Sequence, residues 1–193
     1  MTQLKAFRKI NTFEKSIIVN TLSKVVQNSD LLIKNLQKRL YISFDISVTK
    51  NLNPSVYLMT SDHTNLIDKF KADLQICSAG LYFGFLKKEN FRLSLEGAEY
   101  LVKNEDCFKE QILVINSKGE KSILYGNDIY KEDVLKLPTK LRKGELLIIY
   151  NSQNEIGAIA QSIVDKKAFK NLNPKSKIAL NLVDKGYYLR TNQ

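Results

Sequence analysis

Histidine is almost missing from this chain, and with His63 alone there is little means of building the imidazole-based pairs that act near neutral pH. In Ser61-Asp62-His63-Thr64 it reads as a surface or helix-capping residue, with Asp62 expected to cap the helix that follows. Cysteine is scarce too. Cys77 and Cys107 have no Cys or His at metal-ligand spacing, which argues against a zinc site and marks both as small buried apolar residues of a reducing compartment. The phosphate loop of nucleotide-binding proteins is absent, as are G-x-G-x-x-G, H-E-x-x-H and G-x-S-x-G. The adjacent carboxylates Glu105-Asp106 and Glu132-Asp133 point to different sides and read as solvated. No apolar run approaches the roughly 18 residues of a membrane span, and Met1 to Arg8 lacks the apolar core of a signal peptide. These absences exclude the familiar catalytic constellations and lead to the expectation of a cytoplasmic, non-enzymatic protein without metal, cofactor or membrane.

What is present is positive charge. Thirty Lys and Arg against twenty Asp and Glu leave a net +10, which attracts polyanions by steering and counterion release. Residues 1–110 hold 16 basic and 12 acidic side chains, and residues 111–193 hold 14 and 8, so the shorter segment is the more basic. Within it Lys166, Lys167, Lys170, Lys175 and Lys177 surround Phe169 and precede an apolar strand pattern. Such a cluster is either a solvated lysine-coated helix and loop or a row of phosphate contacts.

Hydrophobic periodicity sets the elements. Phe13, Ile17, Ile18, Leu22, Val25 and Val26 predict a helix over 12–27 from a Thr12 cap. Strands are expected over 40–48, 55–60 and 75–77, with a hairpin of 81–86 and 91–95 through Lys87-Lys88-Glu89-Asn90. Helices are expected over 63–70 and 96–103. After the polar stretch 104–109 the pattern becomes short strands at 112–115, 146–150, 156–163, 178–182 and 187–189, with a turn at Gly119 and a helix over 122–130. Even spacing of that kind predicts a small barrel. The fold class is α+β: an N-terminal domain, 1–108, with a mostly antiparallel sheet, then a small β-barrel domain, 109–193.

Three patterns in the second domain narrow this. They are Gly119-Glu120-Lys121-Ser122-Ile123-Leu124-Tyr125-Gly126-Asn127, Gly144-Glu145-Leu146-Leu147-Ile148-Ile149-Tyr150-Asn151 and Asp184-Lys185-Gly186-Tyr187-Tyr188-Leu189-Arg190. Together they resemble a PUA domain, a small RNA-binding barrel. With Ile76 to Phe85, Phe91-Arg92-Leu93-Ser94-Leu95 and Ala98-Glu99-Tyr100-Leu101, the chain resembles the Nip-seven family of large-ribosomal-subunit biogenesis factors. Where PUA domains often show Gly-x-Gly, this chain has Gly157-Ala158-Ile159-Ala160, and the family's basic patch is represented by Lys170 ahead of Asn173-Pro174.

The resemblance implies a monomeric, non-catalytic adaptor that binds precursor ribosomal RNA, single-stranded or bulged, and meets other assembly factors through its N-terminal domain. In a eukaryote it would be nucleolar. Lys166, Lys167, Lys170, Lys175, Lys177 and Arg190 are the expected phosphate contacts, and Tyr125, Gly126 and Asn127 the closer contact. Tyr130, Tyr150, Tyr187 and Tyr188 are further stacking candidates, most of them expected in the core. The alternatives are an RNA-modifying enzyme, or its RNA-targeting subunit, carrying a PUA domain, and a protein-only scaffold.

Overall fold

A computed structural model describes residues 5–23, 32, 36, 39–45, 53–70, 76, 78–104 and 107–190. The expectations for Val25 and Val26, residues 46–48, the strand at 75–77, Cys77 and Glu105-Asp106 lie outside the described residues. The chain divides into two compact units, Met1–Gly97 and Ala98–Gln193.

In the first unit five strands form one antiparallel sheet in sequence order: β1 (Lys5–Lys9), β2 (Leu40–Asp45), β3 (Ser55–Leu58), β4 (Leu81–Lys87) and β5 (Asn90–Leu93). β1 was not anticipated, because its alternation is too short to read, and it is held in register from Lys5↔Asp45 to Lys9↔Tyr41. Helix α1 (Thr12–Leu22) buries Glu14, Ile17, Ile18 and Leu22. That stripe leaves Phe13, expected in the core, 67% exposed. Its cap is Asn11 rather than Thr12: Asn11 Oδ1 accepts from the Glu14 N–H at 2.8 Å, and Glu14 Oε2 accepts from the Asn11 N–H at 2.8 Å. Helix α2 (Ser61–Phe70) likewise starts earlier than expected and is capped by Thr60, not Asp62. Thr60 Oγ1 accepts from the His63 N–H at 3.4 Å and His63 Nδ1 accepts from the Thr60 N–H at 3.1 Å, which makes His63 the capping residue foreseen for it. The core gathers Ile18, Leu22, Leu40, Ile42, Val56, Phe83 and Phe91, the two phenylalanine rings stacked at 5.7 Å.

The second unit takes over within α3 (Leu95–Asn104). Its strands are β6 (Ile112–Ile115), β7 (Ile129–Tyr130), β8 (Val134–Lys136), β9 (Leu146–Tyr150), β10 (Ile156–Ser162) and β11 (Lys177–Asp184). They form a nearly closed barrel-like sheet in the order β7-β11-β10-β9-β6-β8, antiparallel except for the β6·β9 pair. Leu113, Ile115, Ile123, Ile129, Leu147, Ile149, Ala158, Ala160 and Ile178 fill it. The methyl of Ala158 is thus core, and the place beside Gly157 is closed by Ile123, whose Cδ1 would lie 3.0 Å from a Cβ there. Cys107 is buried as expected.

Two expectations are corrected here. The helix read at 122–130 is α4 (Ser117–Leu124), because Asn116 Oδ1 accepts from the Gly119 N–H at 2.8 Å and starts it five residues sooner. Gly119 is consequently not a turn residue but a buried helical one against Asp133. The strand read at 187–189 is a single helical turn, α6 (Tyr187–Arg190), closed by the Arg190 N–H donating to the Gly186 carbonyl at 3.1 Å. A further short helix, α5 (Lys166–Asn171), links β10 to β11.

Candidate nucleic-acid interface

The first element of the site is the end of α4. Gly126 has φ +82°, a left-handed conformation that favours glycine, and its N–H donates to the Ile123 carbonyl at 2.8 Å while the Asn127 N–H donates to the Ser122 carbonyl at 3.2 Å. This glycine-terminated cap throws Tyr125 outward, where it is 79% exposed. Of the further stacking candidates, Tyr187 is 53% exposed and so is not core, Tyr130 and Tyr150 are half-buried, and the side chain of Tyr188 lies outside the described residues.

The lysines come from α5 and the turn behind it. Asp165 caps α5 by accepting from the Ala168 N–H at 2.7 Å. Lys167, Lys170 and Lys175 are exposed and form no ion pair among the described residues. Lys166 is tied down, its Nζ donating to the Thr139 carbonyl at 3.3 Å.

A lysine that sequence reasoning missed ties the segment after β7 to the end of α5. Lys131 Nζ donates to the Leu172 carbonyl at 2.6 Å and the Lys170 carbonyl at 3.2 Å, and stands 5.2 Å from the centre of the Phe169 ring. A cation there satisfies carbonyls at the C-terminus of α5 and meets the helix dipole favourably. Nothing in the sequence signals this, since the partners are about forty residues apart. The Lys131 and Glu132 N–H groups donate to the Ser176 and Pro174 carbonyls, each at 2.9 Å, which seats the 173–176 turn against β7. Beside it Lys118, Ser122, Tyr130, Glu132, Asp133 and Lys175 line a cavity of about 300 Å³. Lys118 Nζ lies 2.5 Å from Glu132 Oε1. The hydrogen bond and charge of Lys118, with a smaller contribution from Lys175, hold the Glu132 carboxyl below its usual pKa.

Two of the expected phosphate contacts are engaged inside the chain. Lys177 Nζ lies 2.6 Å from Asp128 Oδ2. Burial pushes the Asp128 carboxyl up, but the hydrogen bonds from Lys177 and the Asn181 N–H outweigh it and leave the group below its usual pKa. Arg190 forks onto Asp184, with Nη1 at 3.0 Å from Oδ1 and Nη2 at 2.8 Å from Oδ2, and that bond raises the guanidinium pKa. The structure thus leaves Lys167, Lys170 and Lys175 exposed and without an ion pair among the described residues, and makes Lys177 and Arg190 partners of carboxylates.

Among the described residues no helix is long and apolar enough to cross a membrane. Residues 111–193 match the UPF0113 PUA domain. Over 191 residues the chain is 27% identical to a UPF0113 protein of Archaeoglobus fulgidus, covering 96% of this chain and 95% of that one. Over 119 residues it is 27% identical to the 60S ribosome subunit biogenesis protein nip7 of Schizosaccharomyces pombe, covering 60% of this chain and 62% of that one. A solved hypothetical protein from Pyrococcus horikoshii OT3 superposes with a TM-score of 0.63 at 10% identity, covering 97% of this chain and 100% of that one. A PUA domain from Aeropyrum pernix K1 does so with a TM-score of 0.62 at 8% identity, covering 96% and 89%. At such identities the two structures speak for the fold alone. The resemblance read from the motifs is met as a likeness: residues 111–193 match the UPF0113 PUA domain, in a chain similar to a UPF0113 protein and to a Nip-seven protein.

Proposed function

We propose that this chain is a non-catalytic RNA-binding protein of ribosome biogenesis, acting on precursor ribosomal RNA during large-subunit assembly. The PUA module, counted from residue 109, takes single-stranded or bulged RNA. Residues 1–108 contact other assembly factors, and the protein works as a monomer in the cytoplasm, or in the nucleolus of a eukaryote. The observation that carries this reading is the PUA domain itself, with the unpaired Lys167, Lys170 and Lys175 on one short stretch of it and the exposed Tyr125 at the end of the adjoining α4. The similarity to a 60S biogenesis protein supports the choice of process.

Physically, the lysines neutralise successive phosphates and release condensed counterions, which gives affinity without sequence preference. Tyr125 offers a π-face to a splayed base, worth about 1–3 kcal/mol per stacked base. The test is fluorescence anisotropy with single-stranded ribosomal RNA fragments across a salt series. If four cations engage a strand, the log-log slope is about −3. Replacing Lys167, Lys170 and Lys175 together by Glu lowers affinity by more than about tenfold and flattens the slope. Affinity unchanged in that variant refutes the reading.

A further inference from the structure

Two of the motifs read separately in the sequence meet in the fold. Gly186 and Arg190, both from the last motif, lie against residues 124–126 of the first, and Asp184 of the same motif holds Arg190. Arg190 Nη1 donates to the Leu124 carbonyl, one of the α4 carbonyls left without an intrahelical partner. The same guanidinium lies flat against the turn, its Cζ and Nη2 each 3.2 Å from where a Cβ on Gly126 would sit. Asp184 is 3% exposed and holds the fork in place through both carboxylate oxygens. Gly186 lets the chain pass closely, since a Cβ there would stand 2.0 Å from the Leu124 carbonyl oxygen. Asn181 completes the grip: its side-chain N–H₂ donates to the carbonyls of Ile123 at 3.3 Å and Asn127 at 3.2 Å and to Asp184 Oδ2 at 3.0 Å.

The carbonyls of Ile123, Leu124 and Asn127 are therefore all drawn inward, while the side chains of Tyr125 and Asn127 are left exposed. A contact surface held this way loses little freedom when a ligand arrives.

Resting on the RNA-binding reading above, we propose that the Arg190–Asp184 pair, with Asn181, is a strap that fixes the Tyr125-Gly126-Asn127 turn in the shape RNA meets. Arg190 is then a positioning residue and not a phosphate contact. Its fork is filled by two carboxylate oxygens and a carbonyl, so lysine, which has the charge without the planar fork, does not replace it.

The experiment uses the full chain, with Arg190→Lys and Arg190→Ala compared to the parent. Amide hydrogen exchange of residues 124–128 is measured without RNA, and RNA affinity is measured across the salt series. Both variants are expected to speed exchange in 124–128 and to lose about tenfold in affinity, while the salt slope stays that of the parent. A phosphate-contact role predicts the reverse: Arg190→Lys binds like the parent, and Arg190→Ala has a slope shallower by about 0.7. That result, or unchanged exchange in Arg190→Ala with the parent binding RNA, overturns the strap. A parent chain that binds no RNA overturns the functional reading instead, and with it the role assigned to the strap.

Discussion

Glu14 shows how a buried carboxylate is made tolerable in this protein. Burial pushes its pKa up, but the hydrogen bonds from Arg8 and from the Asn11 N–H, with the charge of Arg8, carry it below the usual 4.5. A folded-state pKa that is lowered contributes stability above the ordinary carboxylate value and loses it as pH falls through the folded value. Glu14→Gln keeps the cap and removes the charge, so it is expected to cost about 1 kcal/mol at pH 7, Arg8 being nearly half exposed. Urea midpoints taken at pH 7 and pH 3 check this, with the gap to the parent closing at pH 3. Gly119 gives the opposite kind of expectation. Alanine within a helix normally gains about 1 kcal/mol over glycine. Here its Cβ would lie 2.7 Å from Asp133 Cβ and 3.3 Å from Ile115 Cβ, both in packed surroundings. Gly119→Ala should therefore lower the thermal midpoint, by a net loss of about 1–3 kcal/mol.

Among the elements, α5 is the one on which the proposed function leans, and it is too short to persist by propensity. Its ends are held by its own cap, Asp165, at the N-terminus and by the distant Lys131 at the C-terminus, with Phe169 packed on the core. Asp165→Ala removes the N-terminal bond at a cost of about 1 kcal/mol. Because α5 presents Lys167 and Lys170, the same variant should weaken RNA binding although it touches no cation, and anisotropy would show whether it does. Lys131→Met keeps an apolar stem against Phe169 and drops the charge, and the same two losses are expected of it. A variant of either kind that melts earlier yet binds RNA as the parent does would separate α5 from the interface.

At the scale of the molecule, each unit has its own core, and local stability should follow that division. Phe83 is fully buried and stacked on Phe91 in the first unit, so Phe83→Ala should cost about 3–5 kcal/mol there. Hydrogen exchange is expected to rise across β2 to β5 well before it rises in β9 to β11. Equal acceleration in both sheets would mean that the chain opens as one cooperative body.

The amino-acid sequence by itself determined the α+β class, the strands Ile112–Ile115 and Leu146–Tyr150, and the PUA motifs. Alternation and β-branched content are local properties, and a motif is legible wherever it lies. The shift of α4 was in principle legible from Asn116, a good cap three residues before Gly119, but the glycine drew the reading toward a turn. What only the tertiary structure decided is which cations have a carboxylate partner within the chain. Lys167, Lys170, Lys177 and Arg190 look alike in sequence, yet β7 pairs with β11 and brings Asp128 to Lys177, while the turn at Gly186 returns Arg190 to Asp184. An ion pair within the chain depends on which strands lie side by side, and only the path of the backbone says which charges are so paired.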